Sequence, residues 1–171
     1  MTYVMLILRL LHIVSGAFWV GTVITAVFFI EPTAQALDRE GERFLAHLVI
    51  RRRLALVLAI AATVTVTAGA LLYWIDSGGL RLEWITTGTG IAFTAGGLSA
   101  LIALAIAGIF LKPAVDRLAT ITDRDMRADD APAPSRIEDE AFERRIRRWS
   151  LIQVTLLVFA VSAMAVARYL P

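Results

Sequence analysis

Cysteine is absent from this chain, which excludes disulfides, thiolate metal sites and cysteine nucleophiles. Lysine occurs once, at Lys112, and histidine only at His12 and His47. No nucleophile stands beside a base, and neither a glycine-rich phosphate loop nor a spaced pair of carboxylates occurs. The sequence therefore assigns no catalytic residue and inclines against an enzyme. Ionisable groups are also missing from the interiors of the second and third apolar runs described next. A proton relay or ion path through a bilayer normally needs such groups. Channel, pump and ion-coupled transporter readings lose ground, and a small-molecule permease ranks last.

Four long apolar runs are what the chain does have: about 3–30, 54–74, 87–111 and 149–167. Each exceeds the ~18 residues that read as a membrane-spanning helix. The bilayer interior offers the backbone no hydrogen-bond partner, so each run must be helical. With 58% hydrophobic residues and a mean hydropathy of +0.70, the chain is more apolar than the roughly 45–50% usual in soluble domains. The fold predicted is all-α, an integral membrane four-helix bundle forming a single membrane domain over 1–171. The first run has no basic residue before Arg9 and is longer than a signal-peptide core, so it reads as a retained span.

Charge sets the expected orientation. Arg39, Arg43, Arg51, Arg52 and Arg53 lie in segment 31–53, and nine more of the seventeen Lys and Arg residues lie in segment 112–148. Positive loops stay cytoplasmic, so both termini and the loop Asp76–Thr86 are expected outside. The protein is then a multi-pass component of a bacterial cytoplasmic (inner) membrane. The lipid bilayer is its first partner, and the high pI of about 9.5 reflects topology instead of nucleic-acid binding. Tyr3, Tyr73, Trp74, Trp84 and Tyr169 at the outer ends and Trp149 at the inner end suit the headgroup level.

Several local signals divide the connecting segments. Glu31-Pro32 predicts an end or kink of span one, and Lys112-Pro113 the close of span three. A short cytoplasmic helix is expected over Asp38–Arg53, interrupted at Gly41. Asp76-Ser77-Gly78-Gly79 predicts a turn. The Pro-bearing stretch Thr122–Pro134 predicts a mobile linker, and Ser135 with Glu138 has the spacing of a capping box that opens a helix running into span four.

Helices in lipid associate through small residues. Span three carries the stripe Ala95, Ser99, Ala103 and Ala107 beside a second stripe with Ala92, Gly96 and Ala100. Span two has Ala55, Ala59, Thr63 and Thr67, and span one Gly16 and Gly21. These predict bundle packing, with one stripe of span three free to meet another subunit.

The polar groups inside the spans are few. Arg9, His12, Gly16 and Trp19 share one face of the first helix. Arg9 is placed to reach the interface or to pair with Asp76, while Arg168 and Met164 belong to the same outer level. His12 has two roles open to it. One is a hydrogen bond to a neighbouring helix; the other is ligation of haem iron or copper with Met164 as a second donor, since both metals accept imidazole and thioether. His47 is at the far end: the helix from His12 to Ile30 spans about 27 Å. Gln153 in span four predicts a helix-to-helix hydrogen bond.

Leu11-His12-Ile13 through Trp19-Val20-Gly21 resembles the first span of the copper-resistance-D-like membrane proteins and of the membrane protoporphyrinogen oxidases. From either group only His12 carries over; the intramembrane Lys expected of the oxidases has no counterpart. Nearly the whole chain resembles an uncharacterised bacterial four-span integral membrane family, through Phe28-Phe29-Ile30-Glu31-Pro32, Arg51-Arg52-Arg53-Leu54, Thr67–Trp74 and Met164–Leu170. That resemblance implies the four-span fold and no activity. The function expected is that of a non-catalytic membrane component, either a homo-oligomer or an accessory subunit of a larger membrane complex, without cofactor. The alternative is a haem- or copper-binding membrane protein with His12 as ligand.

Overall fold

The computed structural model describes residues 2–117, 120 and 136–170. These are almost wholly helical and include no strand. The elements are α1 (Thr2–Thr25), α2 (Glu31–Ala36), α3 (Asp38–Ala46), α4 (Leu54–Asp76), α5 (Leu82–Ile85), α6 (Gly88–Ile106) and α7 (Arg136–Ala167). Four continuous helical stretches are long and apolar enough to cross a membrane: Tyr3–Ala36, Leu54–Asp76, Gly88–Arg117 and Ala141–Ala167. They point to a multi-pass membrane protein. The first has 34 residues, about 50 Å of helix, so it outruns a ~30 Å hydrocarbon core.

Neither proline ends its helix: span three does not close at Lys112-Pro113 as the sequence predicts, and at Glu31-Pro32, where it predicts an end or a kink, the helix does not end. A π-helical turn at Ala26–Ile30 stands directly before Glu31-Pro32, and another at Ala107–Leu111 before Lys112-Pro113. In each, the next amide reaches five residues back: Glu31 to the Ala26 carbonyl and Lys112 to the Ala107 carbonyl. A proline ring collides with the carbonyl four residues earlier in an α-helix. Those carbonyls belong to Phe28 and Ile109, inside the two widened turns, so the extra residue absorbs the collision. The helix then continues to Ala36 in one case and Arg117 in the other.

Gly41 does not interrupt α3 either. A Cβ on it would stand 1.8 Å from the Ala34 carbonyl oxygen, so its bare Cα lets α3 fold back against α2. Asp38, at φ 46°, makes the corner between them. A third π-helical turn, His47–Arg51, leads to Arg53, whose left-handed backbone (φ 56°) redirects the chain into α4.

At the other end of α4 the predicted turn forms. Gly78 and Gly79 have positive φ, and the buried Ser77 hydroxyl accepts from the Leu80 amide at 2.9 Å. Trp84 of α5 lies edge-on to Tyr73 and stacks with Phe93, while Tyr73 meets the Thr94 hydroxyl at 2.6 Å. Thr87 caps α6 by accepting from the Gly90 amide. α7 runs unbroken for 32 residues, through Trp149 into the last span. Trp149 stacks on Phe110 at 3.8 Å, which ties the entry of α7 to the end of the third span. The linker 122–134 and the Ser135 cap lie outside the described residues.

Packing divides the bundle into two antiparallel pairs, α1 with α4 and α6 with α7; contact between the pairs is sparser. Trp19, Val23 and Val27 of α1, Ala61 and Ala62 of α4, Ala103 of α6, and Val154 and Leu157 of α7 form the common core. Many large apolar side chains face outward instead, among them Phe18, Phe29, Leu101 and Phe159. That would be an unstable surface in water and is the expected one in lipid. Hydroxyls on the spans bond to their own helix, as Thr25 does to the Gly21 carbonyl, Thr63 to Ala59 and Ser162 to Val158. The donors of these three hydroxyls are thereby not left bare in the hydrocarbon.

Candidate functional site

His12 lies half-buried in the seam between α1 and α4. Its Nδ1 is 2.8 Å from the Thr65 carbonyl oxygen. A carbonyl only accepts, so Nδ1 carries a proton; in the neutral imidazole Nε2 then keeps its lone pair. Among the described residues no partner reaches Nε2. Gly69 makes room for the ring: a Cβ there would stand 2.8 Å from Cε1 and 2.9 Å from Nδ1. On the adjoining turns, Ser15 meets the Thr65 hydroxyl at 2.8 Å, and Thr65 also reaches the Ala61 carbonyl at 2.8 Å. Ser15 further donates to the Leu11 carbonyl, so two hydroxyl protons serve three short contacts.

Gly16 has the Thr65 methyl beside it, 3.2 Å from where its Cβ would be. The space that glycine leaves is thus taken by α4, and Gly16 acts as a packing residue. Trp19, one turn on, is only 3% exposed and belongs to the core. Thr65 and Gly69 complete the His12 environment. A backbone acceptor has no residue signature, so only their small size and spacing could have flagged them.

Met164 lies in the other seam. Its Cγ is 3.1 Å from the position of a Gly96 Cβ, and the Ala160 carbonyl oxygen is at the same distance. Gln153, 2% exposed, donates from Nε2 to the Ala103 carbonyl at 3.3 Å, the helix-to-helix bond its position suggested. Ala103 is wholly inaccessible. The buried line on α6 is Gly96, Ser99, Ala103 and Ile106; Ala95 and Ala107 are only half-buried. A strict four-residue stripe drifts about 40° per step around a 3.6-residue helix, whereas a 3-4-3 rhythm stays on one face. The same geometry reorganises α4. Its buried residues are Ala61, Ala62, Thr65 and Ala68, while Ala59, Thr63 and Thr67 face outward. A shallow depression lined by Ala59, Ile60, Thr63 and Val64 marks that outer face.

Arg9, Asp76 and Arg168 are all exposed, and among the described residues no ion pair joins them. Arg168 instead rests its guanidinium 5.0 Å from the Tyr169 ring centre. His47 sits in the π-helical turn before α4, whereas the Thr65 that holds His12 lies midway along α4. Among the described residues no three His, Asp or Glu side chains gather as a metal-ligand group. No protein-family model, characterised protein or solved structure matches this chain.

Proposed function

We propose that the protein is a non-catalytic integral membrane component that works by association, as a homo-oligomer or as an accessory subunit of a larger membrane complex. The observation that carries this reading is the outward face of α4. Ala59, Thr63 and Thr67 repeat every four residues there, exposed, on a helix whose opposite face already packs against α1. Against lipid tails such small side chains gain little, whereas against a second helix they permit close backbone approach. The bacterial inner membrane, with both termini outside and the Arg-rich segments in the cytoplasm, is the setting we assign to it from the charge pattern.

The natural absence of cysteine makes the test clean. Single variants Ala59→Cys and Thr63→Cys are oxidised in native membranes, with Leu101→Cys on α6 as a reference. A disulfide-linked dimer from the α4 positions alone supports the homo-oligomer. Linkage to a different membrane protein supports the accessory subunit. Only monomer, in membranes where all variants insert, removes association through α4.

A second reading is favoured by one specific observation, the locked tautomer of His12. With Nδ1–H held by the Thr65 carbonyl, Nε2 is oriented as metal-binding imidazoles usually are. Haem iron or copper would use that nitrogen. The described residues bring no second donor to it, as Met164 packs in the other seam. Absorption spectra and metal analysis of the purified protein discriminate. A Soret or copper signal lost in His12→Ala supports ligation, and a colourless, metal-free protein supports association alone.

A further inference from the structure

We infer that the end of the bundle where α4 begins and α7 turns apolar carries a binding surface for anionic phospholipid headgroups. Its main elements are Arg52, Arg53, Arg145 and Arg148. The inference is independent of which leaflet this end occupies.

In the two long connecting segments the arginines cluster beside the spans. Arg51, Arg52 and Arg53 stand immediately before Leu54, the first residue of α4. Arg144, Arg145, Arg147 and Arg148 stand immediately before Trp149. At 1.5 Å per residue the second group lies within about 8 Å of Trp149, the depth of the polar layer that flanks the hydrocarbon. Trp149, stacked on Phe110, marks the boundary. The acids of the first segment lie farther along the chain from this rim, as Asp38, Glu40 and Glu42 of α3. Three acids do stand near this rim: Glu31, within electrostatic range of Arg147, Asp116, paired with Lys112, and Glu143, directly before Arg144.

Arg52, Arg53, Arg145 and Arg148 are exposed, and among the described residues none forms an ion pair. Adjacent guanidinium groups repel one another, and no acid stands in the first turn of α4 to offset them. The positive end of the α4 dipole adds to the same field. A negative group delivered at headgroup depth relieves this excess. Phosphate esters fit because a guanidinium fork can grip two phosphate oxygens at once. In a bilayer the phosphates at that depth belong to lipids, and clusters of arginine beside a span recruit the anionic ones.

The test uses full-length protein in phosphatidylcholine vesicles with trace spin-labelled phosphatidylglycerol or phosphatidylcholine. Phosphatidylglycerol is expected to associate at least about fivefold more strongly, the effect of roughly one arginine at a membrane surface. The variant R52Q/R53Q/R145Q/R148Q should lose most of that preference, and R9Q/R81Q/R168Q, at the other end, should keep it. Equal association of the two lipids with the unaltered protein overturns the proposal without any variant having to fold. So does a preference that survives the first variant or falls equally in the second. Inorganic phosphate added at constant ionic strength should leave the preference intact; its erasure would assign the site to a free anion and overturn the lipid assignment.

Discussion

At position 69 a methyl group would stand 2.8 Å from Cε1 of His12, so the half-buried ring would have to shift to admit it. Gly69→Ala is therefore expected to push the imidazole off the Thr65 carbonyl and to loosen α1 from α4. Gly21→Ala meets nothing within 4 Å and should be neutral. Unfolding of the purified variants in detergent compares the two, with a loss of about 1–3 kcal/mol expected for the first. His12→Gln keeps a donor and an acceptor and should be tolerated, whereas His12→Leu removes the donor from Thr65 at a cost of about 1 kcal/mol, the scale of such bonds in membranes. His12 could be singled out in the sequence because an imidazole among apolar residues is costly and conspicuous. Its acceptor could not, since every residue has a carbonyl. Met164 shows the converse error source: equal depth along two helices says nothing about which seam each residue enters.

The helices themselves were legible almost throughout, because length and apolarity dictate them in lipid. What escaped was the behaviour of Pro32, Pro113 and Gly41. Each is a breaker by local propensity, and each is accommodated by backbone geometry that side chains do not announce. The four-residue stripes hold in part, with Gly96, Ser99 and Ala103 buried but Ala95 and Ala107 only half-buried: repetition of small residues is visible in sequence, but the seam follows the 3.6-residue period. Gly41→Ala places a methyl against a backbone carbonyl at 1.8 Å, where no rotamer change can help. It is expected to open the α2–α3 corner and expose Leu37–Arg43 to protease in permeabilised membranes. Gly97→Ala and Gly108→Ala, with no neighbour within 4 Å, should leave the cleavage pattern unchanged.

For the molecule as a whole, the interior of each seam should be far less tolerant than the lipid-facing surface. Ala103→Leu and Gly96→Leu overfill the α6–α7 seam and should cost about 1–3 kcal/mol each. Leu101→Ala, on the outward side of the same helix, exchanges side chain for lipid and should cost little. Thermal unfolding of the three proteins checks the contrast. Reporter fusions at Pro171 and Ala131 are expected on opposite sides of the membrane, with Ala131 in the cytoplasm; a cytoplasmic Pro171 would reverse the orientation assigned from the arginines. The pairing of α1 with α4 and of α6 with α7 joins spans that are consecutive in the chain. A nascent chain released from the ribosome in order can thus finish its first hairpin, His12 bond included, before the third span has been synthesised. The second hairpin then needs only to dock. Chains cut between Gly78 and Gly79 and produced as two pieces in one cell should consequently still find each other, each arriving with its own seam already closed.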